Sequence, residues 1–131
     1  MLPPKSVPSN LVRPGSVVAI QLPLYKHFGV VTDRFYRGER TVISNSWKAG
    51  GVVEQPFTVF SGGFPIVEIT YPSVLAAPIV VSRATSRLGD KYSLLTWNCE
   101  HLIRFAHGLN PLSPQIGVML LVGLTLIAVT R

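Results

Sequence analysis

Cysteine, acidic residues and charge of any kind are all scarce in this sequence. Cys99 is the only cysteine among 131 residues, so a disulfide within the chain, and with it a disulfide-stapled fold, is excluded. Charged residues make up only 14% of the chain, and Lys plus Arg (12) outnumber Asp plus Glu (6). The net charge of +6 favours anionic partners, either nucleic acid or acidic lipid.

Two further absences limit which partners, cofactors and location we expect for the protein. The basic residues are scattered, with no zinc-ligand spacing and no basic helix, so we expect no nucleic-acid partner, no metal and no cofactor. Residues 1–10 carry Pro3, Pro4 and Pro8 and lack the apolar core of a secretory signal. We therefore interpret residues 1–12 as an irregular arm and expect the domain that follows to lie in the cytoplasm.

Turn-forming residues are plentiful, and the 11 Gly and 11 Pro suit short strands joined by tight turns. Runs rich in β-branched residues predict strands over 16–22, 27–32 and 41–46, joined as an antiparallel meander, with 33–40 as a polar connection. A further strand is predicted over 65–71, a short turn or helix over 57–60, and helices over 78–89 and from 99 to about 107. These elements predict an α+β chain in which short antiparallel strands come first and helices follow.

The longest apolar stretch is residues 116–129, which hold no charge and only Thr125 as a polar side chain. As a helix these fourteen residues reach about 20 Å, short of the roughly 30 Å hydrocarbon core of a bilayer. A short anchor with local thinning, an interfacial segment and a core helix all remain open. Because apolar residues run round the whole helix, we expect 113–131 to form a hydrophobic helix in a membrane, where Gly117 and Gly123 would allow self-association.

The candidate for chemistry is the segment 97–102, which contains the cysteine. Asn98 is a good N-cap for the helix that follows, because its side chain can accept from a free backbone N–H. Cys99 would then stand at the first helical position, where amides and the helix dipole stabilise a thiolate, the nucleophilic form. The alternative, that a lone cysteine is a small buried hydrophobe, stays open.

A cysteine nucleophile needs a base, and the chain offers three histidines. His101 lies two residues after Cys99, so the two side chains point about 200° apart, and His101 is expected to cap or pack. His107 lies about two turns away and is expected to cap the helix end. By elimination the base is His27, at the start of a strand, although a histidine at a strand edge, taken alone, is more often a plain surface residue.

The base needs an orienting group, and the neighbouring strand offers Ser44 and Asn45. An asparagine can accept from the imidazole N–H and fix its tautomer, as in papain-like Cys-His-Asn sites, so Asn45 is the first candidate and Ser44 the weaker one. Alternate side chains of a strand face opposite sides, so only one of the two can face His27. Both can also be ordinary polar residues of an edge strand.

Two blocks, 27–31 (His-Phe-Gly-Val-Val) and 98–102 (Asn-Cys-Glu-His-Leu), together resemble the lecithin:retinol acyltransferase-like (LRAT domain) family. That family is the circularly permuted branch of the NlpC/P60 papain-like superfamily, and weaker matches at 13–15, 50–54 and 83–93 extend the resemblance over about 13–112. It implies a small antiparallel sheet packed on helices and a Cys99 thiolate that is acylated by an ester or amide. Family acyltransferases typically have a second histidine on the third strand, where this chain has Ser44 or Asn45.

Three functions are compatible with these patterns. The leading one is a membrane-associated thiol acyltransferase or phospholipase acting on glycerophospholipid esters, with Cys99 as nucleophile, His27 as base and the helix N-terminus as oxyanion donor. Its acyl acceptor, an amine, an alcohol or water, is not specified by the sequence. The second is a cysteine peptidase or amidase, and the third a non-catalytic membrane-acting effector or oligomeric protein on the same fold. The basic surface and the apolar tail would act as two membrane signals.

Overall fold

A five-stranded antiparallel sheet forms the centre of the domain. The computed structural model describes residues 7–111 and 113–130, without the side chains of Asn10 and of residues 123–130. The strands are β1 (Val17–Gln21), β2 (Lys26–Tyr36), β3 (Glu39–Ser46), β4 (Gly51–Pro56) and β5 (Val67–Ile69). They lie in the order β4-β3-β2-β1-β5 with every neighbouring pair antiparallel, so the predicted meander and the α+β class are confirmed.

Helices pack on both faces of the sheet. They are α1 (Phe57–Ser61), α2 (Ala77–Thr85), α3 (Cys99–Ala106) and α4 (Pro114–Thr130), and a 3₁₀ turn at Ser9–Leu11 precedes β1. α2 and α3 bury one face, which includes Phe28, Val30 and Ile43. α1 buries the other, which includes Val31 and Val42. The sheet thus separates two cores, which we call the α3 face and the α1 face.

The hairpin between β2 and β3 is longer than the sequence predicts. Residues 33–40, expected as a polar connection, continue both strands, so that Tyr36 stands opposite Glu39. The turn is only Arg37 and Gly38, both with positive φ (50° and 82°), as in a two-residue hairpin. Polar side chains are compatible with a strand here because residues 33–36 stand clear of the cores and are exposed.

The end of the predicted N-terminal arm packs on the sheet. Residues 1–6 of that arm lie outside the described residues. After them, the Val7 N–H donates to the Ile66 carbonyl at 2.9 Å, and Val12 is buried in the same cluster as Phe57. The hydrophobic core therefore begins before residue 13, because Val12 packs among the apolar side chains of the α1 face.

The last helix, α4, is fixed to the domain at its start. Ser113 Oγ donates to Oε1 of the buried Glu100 at 2.6 Å, and the Gln115 N–H donates to the same oxygen at 3.1 Å. The Gln115 side chain also accepts from the Lys26 N–H at 2.8 Å and donates to the Lys26 carbonyl at 3.1 Å. Ile116 is buried, whereas residues 118–122 are exposed. Within 7–111 and 113–130, no helix combines the length and the apolar character needed to cross a membrane.

Candidate functional site

The start of α3 is built as the sequence predicts. Asn98 Oδ1 accepts from the backbone N–H of Glu100 at 2.9 Å and from that of His101 at 3.3 Å. In return His101 Nδ1 accepts from the Asn98 N–H at 2.9 Å, which completes a capping box. The N-cap role of Asn98 and the capping role of His101 are therefore confirmed, and Cys99 is the first residue of the helix.

The Cys99 thiol is buried against the start of β2. Its Sγ donates to the Lys26 carbonyl over 3.7 Å, and only 3% of the residue is exposed. Burial raises the pKa of Cys99 to about 11, although the backbone N–H groups of Phe28 and Glu100 partly oppose it. The thiol is therefore protonated at neutral pH, in contrast to the thiolate-rich cysteine expected from the sequence. The loss of water around the sulfur outweighs the amides of the helix N-terminus.

His27 faces away from Cys99. Neighbouring side chains of a strand point to opposite faces, and Phe28 lies with Cys99 in the α3-face core. The His27 ring is stacked on Phe60 of α1, with 5.2 Å between the ring centroids. Burial there lowers the pKa of His27 to about 4, so the ring is neutral at pH 7. The backbone beside His27 touches the sulfur through the Lys26 carbonyl, but the imidazole lies on the other side of the sheet.

Asn45 lies on the α3 face and supports the turn before the cysteine. Its Nδ2 donates to the Trp97 carbonyl at 2.6 Å and to the Asn98 carbonyl at 3.4 Å. Asn45 and His27 are therefore on opposite faces, which corrects the contact predicted between them. The asparagine holds the backbone that leads into α3 and does not orient the imidazole.

Ser44 shares the α1 face with His27, because the register that places Val30 opposite Ile43 gives Ser44 the face of Gly29. Its Oγ is buried and has no hydrogen-bond partner among the described residues. Ser44 therefore does not orient the His27 ring in this arrangement. Of the four predicted site residues, the fold brings Cys99 and Asn45 to one face and His27 and Ser44 to the other.

His107 serves the fold at the far end of α3. It is the C-cap residue, as predicted, and its N–H donates to the Ile103 carbonyl at 3.1 Å. Its Nε2 lies 3.0 Å from the Gly15 carbonyl, and its ring packs beside Tyr71. His107 thus links the end of α3 to the turn before β1.

An apolar cavity of about 270 Å³ opens beside Cys99. It lies between the β1–β2 turn, the β3–β4 turn, the segment before α3 and the start of α4. Most of its wall is aliphatic or aromatic, and the residues that line it include Leu24, Tyr25, Trp47, Tyr92, Leu94 and Met119. Burial raises the pKa of Tyr92 to about 12 and raises that of Tyr25, so both hydroxyls stay neutral. An uncharged cavity of this kind suits a small apolar ligand or part of a larger one.

The part of the chain that the structure describes contains no group of three or more His, Cys, Asp and Glu side chains able to hold a metal ion. Comparison with known proteins adds no family: no protein-family model matches the chain, and a search of curated proteins finds no match. The likeness to the LRAT-like family therefore rests on the sequence motifs.

Sequence reasoning missed the residues that shape the cavity. Tyr25, Trp47 and Tyr92 come from three separate connections, and periodicity gives no reason to group them. A signal was nevertheless present, because each of these aromatic residues is adjacent in the chain to a lysine, Lys26, Lys48 or Lys91. Large apolar side chains on surface loops mark contact sites when they cluster.

Proposed function

We propose that the protein is a membrane-associated thiol acyltransferase or phospholipase that acts on glycerophospholipid esters and belongs with the LRAT-like family. The observation that carries this proposal is the apolar cavity beside the Cys99 thiol. It offers an acyl chain an apolar environment that ends at a side chain able to accept an acyl group. A peptide substrate would need polar partners for its backbone, which this wall mostly lacks, so the peptidase alternative is disfavoured.

The step assigned to Cys99 moves an acyl group from an ester to sulfur. The S–C bond forms at the carbonyl carbon, the ester C–O bond breaks, and the thiol hydrogen passes to the oxygen of the departing lysophospholipid. An amine, an alcohol or water then takes the acyl group and returns a hydrogen to sulfur. The backbone N–H groups of Phe28 and Glu100, which already interact with the sulfur, are candidates to stabilise the carbonyl oxygen as it gains charge.

His27 is the residue to which the family resemblance assigns the proton transfer. In the arrangement described, its ring is stacked on Phe60 and strand β2 separates it from the sulfur. The backbone sets the face of a strand side chain, so catalysis through His27 requires a rearrangement at the start of β2 that takes the ring from Phe60 to the α3 face. This arrangement is then a resting form, in which a protonated Cys99 makes acyl transfer slow.

A second candidate is a non-catalytic lipid-binding protein on the same fold. One observation favours it: Cys99 and Asn45 lie on one face of the sheet and His27 lies on the other. In that case the cavity holds an acyl chain and the thiol stays unmodified.

Incubation with phospholipid in mixed micelles, followed by intact-mass measurement, separates the two candidates. Acyl transfer predicts an added mass of one acyl group on the wild-type chain, none on Cys99→Ser, and release of lysophospholipid. The non-catalytic candidate predicts bound lipid in a native mass spectrum of both proteins, with neither adduct nor lysophospholipid. A chain that shows no bound lipid and no adduct would overturn both.

A further inference from the structure

Exposed apolar side chains surround the mouth of the Cys99 cavity. Leu24, Trp47 and Leu94 line the cavity and are nevertheless 87%, 73% and 52% exposed. They stand on three separate segments, the β1–β2 turn, the β3–β4 turn and the connection before α3. On the remaining side Met119 of α4 lines the same cavity and is 51% exposed. We call these four side chains the rim, which forms one apolar patch around one opening.

A lysine accompanies the rim on three of its segments. Lys26, Lys48 and Lys91 are exposed, and each is adjacent in the chain to an aromatic residue of the cavity wall. None of the three is ion-paired with a carboxylate of the described residues. Asp90, the acidic neighbour of Lys91, lies 3.9 Å from Arg87 instead. The apolar rim is therefore bordered by positive charge.

We propose that the rim is a membrane-docking surface that inserts Leu24, Trp47 and Leu94 into an anionic bilayer, so that the Cys99 cavity opens towards the acyl chains. This rests on the proposed function, because it places the phospholipid substrate on the membrane side of the cavity. Tryptophan suits the boundary between headgroups and hydrocarbon, and lysines bury their aliphatic stems while their ammonium groups meet lipid phosphates. Anionic headgroups attract such lysines within a Debye length.

A second copy of the chain is the competing occupant of an apolar patch. Two rims that faced each other would bring the same unpaired lysines of both copies together, and like charges oppose such an association. Anionic lipid instead complements the lysines and the apolar side chains at once. The charge around the rim therefore favours the membrane as its partner.

Trp47 makes docking measurable, because the chain has only 2 tryptophans. In Trp97→Phe, Trp47 is the sole indole, and vesicles of phosphatidylcholine with phosphatidylserine should shift its emission to the blue. Lipids with brominated acyl chains should quench it. Trp47→Phe is the control, since the remaining Trp97 packs against Phe105 and should not respond. The difference between wild type and Trp47→Phe gives the same measurement if Trp97→Phe does not fold.

Charge reversal tests the lysines. Lys26→Glu, Lys48→Glu and Lys91→Glu should each weaken co-sedimentation of the full chain with anionic vesicles roughly tenfold. Arg37→Glu is the matched control, because Arg37 lies in the turn at the opposite end of β2 from Lys26. It should leave vesicle binding unchanged. Equal losses for Arg37→Glu and the lysine variants would overturn the proposal.

Two other outcomes would also overturn it. Sedimentation without a change in Trp47 emission would assign membrane contact to α4 and not to the rim. A lipid-free dimer that buries Trp47 would assign the rim to a second copy.

Acylation of Cys99 by a dispersed short-chain phospholipid, which needs no vesicle, is measured in parallel. An adduct without Trp47 insertion means that docking fails and acyl transfer stands, whereas insertion without an adduct means the reverse.

Discussion

Polar side chains have different surroundings on the two faces of the sheet. On the α3 face, Cys99 borders a cavity and Asn45 is bonded to the Trp97 carbonyl. On the α1 face, Ser44 is buried without a hydrogen-bond partner among the described residues, and the half-buried His27 imidazole is stacked on Phe60. A shift of one position along a strand moves a side chain to the other face of the sheet. Residues that are expected to react together must therefore lie on the same face as well as have matching chemistry.

His27→Phe is the substitution expected to have the largest effect on activity. Phenylalanine can keep the stack on Phe60 but cannot carry a proton, so turnover should fall by about a hundredfold or more if the ring turns to Cys99 during reaction. Release of lysophospholipid at pH 7 measures the rate. Unchanged turnover would show that His27 stays on the α1 face throughout and has no part in the chemistry.

Acid should destabilise the α1 face through the same residue. The pKa of His27 falls from 6.5 to about 4 on folding, because burial disfavours the charged ring. The unfolded chain then takes up the proton at higher pH, so the stability contributed by the neutral ring is present above pH 6.5 and lost as the pH falls through 4. The loss should reach about 3 kcal/mol in urea unfolding.

His27→Phe has no imidazole at this position. Its free energy of unfolding should therefore fall less at low pH than that of the wild-type protein. Burial also lowers the pKa of His101 and that of His107, and their contributions are common to both proteins and cancel in the difference. An equal loss in both proteins would show that the His27 ring is not kept neutral by its surroundings.

On the α3 face, the Cys99 thiol should react slowly with alkylating reagents at neutral pH. With its pKa raised from 9.0 to about 11, Cys99 should react with iodoacetamide at pH 7 about a hundredfold more slowly than an ordinary cysteine. The rate should rise with pH towards 11, and glutathione in the same buffer is the reference. Labelling faster than glutathione would instead support the thiolate-rich cysteine that the helix N-terminus predicts.

Gly29→Ala probes how tightly the α1 face is filled. An added Cβ would meet the Val42 side chain and lie 3.0 Å from Cε2 of Phe60. We expect a loss of about 2 kcal/mol in urea unfolding. Gly117→Ala, where nothing lies within 4 Å of the new Cβ, should show no such loss. If Gly29→Ala were equally stable, Phe60 would move easily, and His27 would turn at lower cost than this packing indicates.

Substitutions of Asn45 and Ser44 should have the smallest effects on stability. Asn45→Ala removes the bond to the Trp97 carbonyl and should cost about 1 kcal/mol of stability. Ser44→Ala removes a buried hydroxyl that has no partner among the described residues, and it should be neutral or slightly stabilising. The reverse order would mean that Ser44 makes a structural bond and would revive its candidacy as the group that orients His27.

The features that sequence reasoning predicted correctly are local. The Asn98 cap needs only the residues that follow it, and the meander needs only alternating runs between turns. Whether Ser44 or Asn45 shares the face of His27 depends on which residue of β3 stands opposite Val30, a register that the alternation of either strand alone does not give. The pKa of Cys99 likewise depends on burial by distant segments, and the cavity has walls from four of them. These long-range properties were beyond what periodicity and capping rules can predict.

The hydrogen bonds between Glu100 and the start of α4 determine how the molecule can be shortened. A chain ended at Pro111 would lose Ser113 and the Gln115 amide, leaving the carboxylate of Glu100 without these two donors. It would also lose Met119 and the other α4 residues of the cavity wall, so that water would reach the Cys99 sulfur from that side. Deleting the apolar tail to improve solubility would therefore change the reacting group itself. A truncated protein should have a more accessible thiol of lower pKa, and its kinetics would describe a different site.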